Sequence, residues 1–426
     1  MKIKLIKKGY KEALASRREG HHNPIKPNLF FRTLMKMVSL PDMKKTHFKV
    51  TRIGMEKLGK RESALYLMNH SSFIDLEIVA TVLYPRPFNI VATSDGFVGK
   101  GWLMRHIGCI STKKFVNDLT LIRDMDYAIK ELHSNVVLFP EAGYSFDGTA
   151  TALPDSLGKL VKHMGVPVVM IKTFGAYHRD PLYNNLQKRK IDVSATEEYI
   201  LSPEEISEMS CEEISGIINR EFSFDNFAWQ KENHVKIDES FRADGLERVL
   251  YKCPHCMKEG EMEGAGTRLF CHACGASYAL DEYGALVKEN GQGIFDHIPA
   301  WYAWQRESVR EEIESGKYGE NIDVDILVAF DTKHIYEVGE GALSHTESGF
   351  KLVGCNGELE YKQKPFASHT VNSDFNWYEI GDVIGIGNRE ALYYCVPKSK
   401  YVVAKIRLAA EELYKMLKEK AKPQEA

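Results

Sequence analysis

An alternation of short apolar runs with longer helical repeats is the sequence feature that most constrains the fold of this 426-residue chain. Between about residues 46 and 200, runs of four to six residues are typical of strands, and helical patterns such as 121–132 separate them. Because strands that alternate with helices pair in parallel and bury both faces, we predict an α/β domain over residues 46–245, with a mostly parallel sheet flanked by helices. The predicted strands are residues 49–53, 64–68, 136–139 and 166–171.

Positive charge is concentrated at the N-terminal end. Residues 1–60 carry 16 lysine and arginine residues against four acidic residues, whereas the rest of the chain carries 40 against 55. A basic end favours an anionic partner, either a membrane surface or a nucleic acid. Within residues 1–45, apolar residues at helical spacing (3–14, then 29–38) predict two basic amphipathic helices that associate with a membrane surface. The alternative is that they pack on the next domain.

The sequence contains no run of about 20 apolar residues, the length that spans a bilayer. The N-terminus also lacks the apolar core of a secretion signal, and eight cysteines in 426 residues are sparse for a disulfide-bonded protein. We therefore expect a cytoplasmic protein with reduced thiols, bound to membranes only peripherally.

The segment most indicative of chemistry is Asn-His-Ser-Ser-Phe-Ile-Asp at residues 69–75, directly after a predicted strand. Strand ends are where α/β sheets place reactive groups. His70 there can act as a general base near neutral pH. If the chain turns into a helix, Asp75 comes back to the imidazole and holds its tautomer. Taken alone, the pair is more typical of a histidine without a catalytic role near a helix N-terminus.

Three further segments follow: Gly-Cys-Ile-Ser-Thr-Lys-Lys at 108–114, Phe-Pro-Glu-Ala-Gly-Tyr-Ser at 139–145 and Val-Pro-Val-Val at 166–169. In this order, the four segments resemble the glycerophospholipid acyltransferase family, of the 1-acyl-glycerol-3-phosphate acyltransferase type. That family's first motif is Asn-His, four residues and Asp. Its third motif is Phe-Pro-Glu-Gly-Thr-Arg-Ser, and its fourth is a Val-Pro-Val-Val-like strand. The resemblance covers about residues 45–220.

The resemblance implies an O-acyltransferase that moves a fatty acyl group from a thioester, acyl-CoA or an acyl carrier protein, to a hydroxyl of a lysophospholipid or glycerol-phosphate-like acceptor. His70 would take the hydroxyl proton and Asp75 would orient it, without a covalent acyl-enzyme. Ser71 and Ser72 are then assigned to helix capping. Lipid substrates also favour a membrane as the partner of the basic N-terminus. The resemblance places in the substrate site Lys113, Lys114, Phe139, Pro140, Glu141, Gly143 and Ser145.

This chain departs from the family at the positions associated with the acceptor's phosphate. Tyr144 stands where the third motif has Arg, and Lys114 stands where the second motif usually ends in Arg. A guanidinium binds a phosphate through two hydrogen bonds, which neither a phenol nor an ammonium reproduces. Either the acceptor differs from lysophosphatidic acid and glycerol phosphate, or Lys113, Lys114 or another cation replaces the arginine.

Four cysteines form two Cys-x2-Cys pairs separated by 14 residues: Cys253, Cys256, Cys271 and Cys274. Two such turns can close a tetrahedral shell of four thiolates around one ion. The spacing predicts a structural zinc ribbon over residues 250–282, with disulfides, a redox pair or iron as alternatives. The remaining cysteines lack metal-ligand spacing, and we expect them to be small apolar core residues: Cys109, Cys211, Cys355 and Cys395.

The rest of the sequence predicts a helical linker over residues 283–321 and a small β-rich domain with a closing helix over residues 322–420, because about seven short β-type runs are punctuated by Gly and Asn. This last part weakly resembles a pleckstrin-homology-like (PH-like) barrel. The alternatives to an enzyme are a non-catalytic lipid-binding relative of the acyltransferases and a zinc-ribbon interaction protein. The ribbon and the β-rich domain lie in the acidic part of the chain, which disfavours nucleic acid as a partner.

Overall fold

The computed structural model describes residues 3–16, 18, 20–116, 118–289, 293–399 and 401–421. These residues form three β-sheets with helices packed around them. None of their helices is both long and apolar enough to span a bilayer. The α-helices are Tyr10–Leu14, Leu29–Lys45, Asp75–Val82, Gly101–His106, Leu119–Lys130, Leu157–Met164, Ala176–Arg179, Pro203–Glu208, Cys211–Phe222, Asn226–Glu232, Ile298–Glu314 and Val402–Ala421.

The predicted α/β domain contains a seven-stranded sheet, and the four predicted strands are all present in it. Five neighbouring strands run parallel, and the two at one edge run in the opposite direction. The prediction of a mostly parallel sheet is therefore confirmed. In spatial order the strands are Lys49–Ile53, Ser194–Leu201, Val168–Phe174, Leu65–Met68, Asn135–Leu138, Phe88–Thr93 and Cys109–Thr112.

Side chains alternate along the central strand and bury both faces of this sheet. Tyr66 and Met68 lie in one core cluster, together with residues of the helix Asp75–Val82. Leu65 and Leu67 lie in a second cluster with residues of the helix Leu119–Lys130. The continuous apolar character of the strand thus follows from its burial on both sides, as is typical of parallel sheets.

The N-terminal segment differs in part from its prediction. Leu5–Lys7 is a strand that pairs in parallel with residues 335–337, so the predicted helix is wrong there, and only Tyr10–Leu14 is helical. Leu5 packs into one core cluster and Ile6 into another, which is the alternation of a strand. The second predicted helix is confirmed as Leu29–Lys45. Residues 1, 2, 17 and 19 of this region lie outside the described residues.

The second half of the chain carries two antiparallel sheets. A small sheet has the strand order Leu286–Lys288, Ser277–Leu280, Arg268–Cys271 and Met262–Ala265. Cys271 ends one of these strands, and the other three cysteines of the cluster lie outside them, at positions 253, 256 and 274. A larger sheet contains seven antiparallel strands, which confirms a β-rich C-terminal region, and the helix Val402–Ala421 follows it. In spatial order these strands are Leu359–Gln363, Gly349–Gly354, Ile335–Thr346, Glu320–Ala329, Leu392–Pro397, Gly381–Gly387 and Asn372–Trp377.

The C-terminal β-rich region covers the edge of the α/β sheet at which the parallel strands end. Val98, which follows the strand Phe88–Thr93, packs in one cluster with Trp377 and Leu327 of the β-rich region. The Trp377 Nε1–H donates a hydrogen bond to Asp95 Oδ2 at 3.0 Å. The two regions therefore share a packed interface beside the loops that carry the candidate motifs.

Candidate active site

His70 and Asp75 meet at the carboxyl end of the central strand. His70 follows the strand Leu65–Met68, and Asp75 is the first residue of the helix Asp75–Val82. The turn between them brings His70 Nδ1 to 2.9 Å from Asp75 Oδ2. The Asp75 side chain is buried, whereas the His70 side chain is 21% exposed. Because Nδ1 faces the carboxylate, Nε2 is the ring nitrogen that can accept a proton from a bound molecule.

The Asp75 carboxylate also fixes the loop that carries His70. Its Oδ2 accepts hydrogen bonds from the backbone N–H groups of Ser71, at 2.8 Å, and Ser72, at 3.1 Å. The N-cap residue of the helix is Ile74, without a side-chain cap, so the capping role predicted for the two serine side chains is wrong. Ser71 Oγ instead accepts a hydrogen bond from Asn69 Nδ2 at 2.9 Å. A carboxylate in the first helical turn is further favoured by the helix dipole.

Glu141 connects the first and third motifs through its two carboxylate oxygens. Oε2 accepts a hydrogen bond from the backbone N–H of His70 at 2.8 Å. Oε1 accepts from the backbone N–H of Thr151 at 2.9 Å and from its hydroxyl at 3.0 Å. The side chain is buried, and burial raises the pKa of Glu141, against the lowering effect of these hydrogen bonds. Glu141 is thus a positioning residue for His70 in this structure.

Two aromatic rings of the third motif pack against the imidazole of His70. The ring centroid of Phe139 lies 4.3 Å from that of His70, and the centroid of Tyr144 lies 4.2 Å from it. Burial raises the pKa of Tyr144 well above its usual 10, so the phenol stays uncharged. The position at which the family resemblance implies a phosphate-binding arginine therefore holds a neutral ring packed against the general-base candidate.

The remaining candidates of the third motif have structural contacts. Ser145 Oγ donates a hydrogen bond to the backbone oxygen of Thr149 at 2.6 Å and accepts one from the N–H of Gly148 at 3.0 Å. Pro140 and Gly143 are buried. These residues shape the turn behind Tyr144, and a substrate contact for each of them stays a prediction.

The two lysines of the second motif face the C-terminal region. Lys113 Nζ donates hydrogen bonds to the backbone oxygens of Arg389, at 2.6 Å, and Phe330, at 3.3 Å. Burial lowers the pKa of Lys113. Lys114 is half-buried, and its charge acts on Asp374. The ammonium of Lys113 is thus engaged by the protein itself, and a role in substrate binding stays a prediction for both lysines.

The strand Asn372–Trp377 of the β-rich region brings groups to the active site that the sequence analysis missed. Burial raises the pKa of Asp374 to about 6, although the positive charges of Lys114 and His70 act in the opposite direction. Arg407 Nη1 donates a hydrogen bond to the backbone oxygen of Tyr144 at 3.1 Å. These residues lie more than 200 positions from the motifs, and no local spacing in the sequence relates them to His70.

The four cysteine sulfur atoms converge as predicted. All lie within 4.8 Å of one another, and the Sγ–Sγ distances are 3.7 Å for Cys253–Cys274 and for Cys256–Cys271. Metal–sulfur bonds of about 2.3 Å in a tetrahedron separate the sulfurs by about 3.8 Å, whereas a disulfide needs about 2.05 Å. All eight cysteines are unpaired. The cluster therefore fits a single metal ion and not a pair of disulfides.

The other cysteines agree with their prediction in three of four cases. Cys109, Cys355 and Cys395 are buried, and Cys211 is only half-buried, at the start of the helix Cys211–Phe222. Burial raises the pKa of the Cys395 and Cys109 thiols, so both remain protonated at neutral pH. They fill space in the cores of the two regions.

Comparison with known proteins agrees with the motif analysis. Residues 49–172 match the sequence model of the Acyltransferase family. The chain is also similar to a solved structure, the 1-acyl-sn-glycerophosphate (LPA) acyltransferase PlsC from Thermotoga maritima. The two are 17% identical, the match covers 45% of this chain and 78% of that chain, and the TM-score is 0.36. The family match includes His70, Asp75 and the whole third motif, and residues 49–172 of this chain therefore form a domain of the acyltransferase family.

Proposed function

We propose that this protein transfers a fatty acyl group from a thioester donor to a hydroxyl of a lysophospholipid-like acceptor. His70 Nε2 takes the proton of the acceptor hydroxyl as its oxygen bonds to the thioester carbonyl carbon. When the tetrahedral intermediate collapses, the carbon–sulfur bond breaks and the leaving thiolate takes the proton back from His70. The observation that carries the proposal is the hydrogen bond of Asp75 to Nδ1, which orients the ring and stabilises its protonated form.

The residues around His70 also indicate how the acceptor is bound. Tyr144 offers an uncharged ring beside His70, whereas a bound phosphate is best stabilised by a guanidinium. We therefore propose an acceptor whose phosphate, if it has one, is bound by a cation other than the family's third-motif arginine. Assays with lysophosphatidic acid against neutral and zwitterionic lysolipids test this point, and the same acceptor preference in wild type and Tyr144→Arg would refute any role of this position in acceptor choice.

The test of the proposed reaction is acyl transfer by the purified His70→Ala protein. Loss of a positioned general base costs about 10²–10⁴-fold in rate. His163 provides a matched control, because it forms an exposed pair with Asp126 at 2.8 Å, outside the active site. We expect His163→Ala to turn over at the wild-type rate. Equal turnover by His70→Ala and wild type would reject the mechanism.

A non-catalytic lipid-binding protein or a zinc-ribbon interaction protein is the competing proposal. It predicts that no combination of acyl-CoA or acyl carrier protein with a lysolipid gives turnover, while lysolipid binding persists in His70→Ala. A screen of donors against acceptors with the wild-type protein separates the two proposals, since only the enzyme releases a free thiol.

We propose peripheral membrane binding through the helix Leu29–Lys45. One face of this helix is apolar and exposed, with Phe30 at 68%, and Phe31 lies against Trp102, itself 67% exposed, at a centroid distance of 5.9 Å. An exposed apolar face flanked by lysines is typical of helices that bind at a lipid interface. The exposed apolar residues of this surface are Leu29, Phe30, Leu34, Met37, Val38, Leu40, Trp102 and Leu103.

Binding to vesicles of anionic phospholipid tests this membrane surface. The triple variant Phe30→Ser, Met37→Ser, Val38→Ser should lose most vesicle binding, because it removes apolar area without touching the core. A double variant of exposed apolar residues elsewhere, Val287→Ser and Ile294→Ser, should bind as wild type. Unchanged binding of the triple variant would reject the surface.

We propose that the four-cysteine cluster holds a structural zinc ion. Four thiolates would fill the coordination shell and leave no open position for catalysis. The bound ion would link the turn at Cys253 to the turn at Cys271 and so hold the small sheet together. Metal analysis should find one zinc per chain, which Cys271→Ser lowers and His272→Ala does not. Well under one zinc per wild-type chain, or iron in its place, would reject the assignment.

We also propose that the C-terminal region is PH-like. Numbered along the chain, its seven antiparallel strands have the spatial order 4-3-2-1-7-6-5, and the helix Val402–Ala421 follows the last strand. Two meanders joined through their first and last strands, with a closing helix, support this proposal. An experimental structure in which residues 320–397 form two separate sheets in another order would refute it.

A further inference from the structure

A cleft of about 620 Å³ lies between the loop that follows the second motif and the C-terminal β-rich region. One wall is formed by Phe115 and Val116, directly after Lys114. The opposite wall is formed by the end of the strand Leu359–Gln363 and by the turn at residues 387–390. None of the four sequence motifs lines this cleft, and the proposed catalytic step does not use it. The cleft nevertheless opens next to the two lysines of the second motif.

The cleft is basic within the acidic part of the chain. Its lining includes Lys362, Lys364 and Arg389 against one acidic side chain, Glu390, and Lys362 also pairs with Glu360 at 3.0 Å outside the lining. Residues 61–426 as a whole carry 40 basic against 55 acidic residues. Three cations around one concave surface attract an anionic group, and charge-assisted hydrogen bonds to phosphate oxygens are stronger than neutral ones.

Two aromatic side chains add a second chemical signal. Phe366 is 49% exposed at the cleft, and one side of its ring packs against Tyr414 at a centroid distance of 4.9 Å. Phe115 also lines it, with φ of 56°, a conformation that costs a non-glycine residue free energy. One exposed ring and one half-buried ring next to cations suit a ligand with a planar base and phosphates, since bases stack on aromatic faces.

The position of the cleft matches the geometry of a thioester donor. Cys109–Thr112 lies three strands from Leu65–Met68 in the sheet, and at about 4.8 Å per strand this separates them by about 14 Å. His70 leaves one of these strands and Phe115 follows the other at the same carboxyl edge. In pantetheine thioesters a long extended arm separates the reactive carbonyl from the phosphates. The anionic end of such a donor must therefore bind at a distance from the general base.

We propose that this cleft binds the phosphate-bearing end of the pantetheine thioester donor, an inference that rests on the proposed function. The lysines and Arg389 contact the phosphates, and the pantetheine arm runs along the carboxyl edge of the sheet toward His70. Lys113 holds the cleft in place, because its Nζ donates hydrogen bonds to the backbone oxygens of Arg389 and Phe330. The β-rich region is then part of the donor site and not an independent module.

Binding of coenzyme A itself, without an acyl group or acceptor, is the primary test, since it needs no turnover. The full-length double variant Lys362→Glu, Lys364→Glu reverses two exposed charges, and calorimetry should show binding weakened about tenfold or more relative to wild type. The control Lys231→Glu, Lys317→Glu has the same change in net charge at exposed residues outside the cleft and should bind as wild type. Equal binding by both double variants would overturn the proposal, and so would a wild-type protein that binds neither coenzyme A nor a carrier protein with its phosphopantetheine arm.

Turnover assays separate this inference from the proposed function. With acyl-CoA, the cleft variant should show a raised KM and an unchanged kcat, whereas with acyl-pantetheine, which has no phosphate, it should match wild type. The same comparison with an acylated carrier protein identifies which of the two phosphate sources the enzyme uses. If the cleft variant turns over acyl-CoA normally with an unchanged KM, the donor site in the cleft is rejected and the proposed acyltransferase function stands. If coenzyme A binds in a way that depends on the cleft residues but no acyl transfer is found, the cleft is a binding site and the proposed acyltransferase function is rejected. Vesicle binding lost in the cleft variant, with coenzyme A binding intact, assigns the cleft to lipid and overturns the proposal.

Discussion

The loop 69–75 and the strand Asn372–Trp377 both reach the active site, but they do so by different means. In the loop, seven consecutive residues contain the histidine, its carboxylate partner and the backbone groups that fix them. The strand contributes Asp374 and Trp377 only because a second sheet packs against the first. The His70–Asp75 pair is thus encoded within one short segment, whereas the groups around it come from the third motif and from packing between regions.

The two carboxylates of these segments affect His70 differently, Asp75 through a hydrogen bond and Asp374 through its charge. Asp75 accepts three hydrogen bonds within the loop, including the one from His70. Asp374 acts on His70 through its charge alone, and burial holds its pKa at about 6, so part of it is protonated near neutral pH. We therefore expect a steep hierarchy of effects between the two carboxylates, which the following substitutions measure.

Asp75→Asn should have the largest effect, a loss of about 10²–10⁴-fold in kcat. The amide can present an N–H where the backbone N–H groups of Ser71 and Ser72 need an acceptor, and it cannot stabilise a protonated His70. Asp374→Asn should lower kcat less than about tenfold, since it removes only a distant charge. Steady-state rates at saturating donor and acceptor, with circular dichroism to verify folding, provide the comparison. Similar losses in both variants would mean that Asp374 contacts the reacting groups.

Arg407→Ala should break the contact between the two regions and lower the free energy of unfolding by about 3 kcal/mol. The guanidinium lies 4.4 Å from the ring centroid of Phe146, and its Nε donates to Glu411 Oε1 at 3.2 Å. Although burial acts to raise it, the charges of Arg306 and Arg407 lower the pKa of Glu411 to about 2. Removing one partner leaves a buried carboxylate that only Arg306 neutralises.

The control for Arg407 is Arg310→Ala. Arg310 is more exposed, and its side chain pairs with Glu314 at 3.0 Å and with Glu419 at 3.1 Å. It also lies 3.4 Å from the buried Glu412, which Arg306 and Lys415 still neutralise when Arg310 is removed. Exposed pairs of this kind contribute less than about 1 kcal/mol. Denaturant unfolding of both variants distinguishes them. Equal destabilisation would indicate that the buried contact with the third motif adds nothing to the stability of the protein.

Two buried histidines, one in each region, should make the free energy of unfolding depend on pH, with an effect smaller than that of Arg407→Ala. Burial lowers the pKa of His345, in the β-rich region, to about 3 and that of His178, in the α/β domain, to about 4. Both folded-state values lie below the usual 6.5, so the stability from the neutral rings is complete above pH 6.5 and is lost as pH falls toward these values. As the pH falls from 6.5 to 5, each buried ring lowers the free energy of unfolding by about 2 kcal/mol.

His345→Gln should therefore reduce the loss of unfolding free energy between pH 7 and pH 5 by about 2 kcal/mol, because the amide does not titrate and can still bond to the Tyr318 hydroxyl, which lies 2.8 Å from His345 Nδ1. Denaturant titrations at several pH values measure the slope. If His178→Gln flattens the same transition and His345→Gln does not, only the α/β domain is sensitive to acid in this range.

Sequence alone predicted the α/β sheet, the His70–Asp75 pair and the cysteine cluster, because each depends on spacing within a short segment. Leu5–Lys7 was misassigned since Ile3, Ile6 and Tyr10 satisfy a helical period by coincidence, and the strand gains its hydrogen bonds from a partner more than 300 residues away. The contact between the rings of Tyr144 and His70 was also missed. The sequence showed that Tyr144 replaces the family's arginine. Only the folded turn shows that its ring contacts the imidazole of His70.

The smallest effect is expected at Ala142, where the third motif turns. Its φ of 51° lies in the left-handed region, which costs an L-residue about 1–2 kcal/mol, and the family's motif has glycine at this position. Glycine removes that cost but loses about 0.5–1 kcal/mol through the entropy of the unfolded chain. Ala142→Gly should therefore stabilise the protein by about 0.5 kcal/mol, a small rise in the denaturant midpoint at constant slope. A fall in the midpoint would mean that the Cβ of Ala142 makes packing contacts that outweigh the backbone cost, and that this turn, like the strand Asn372–Trp377, is fixed by its surroundings more than by its own conformational preference.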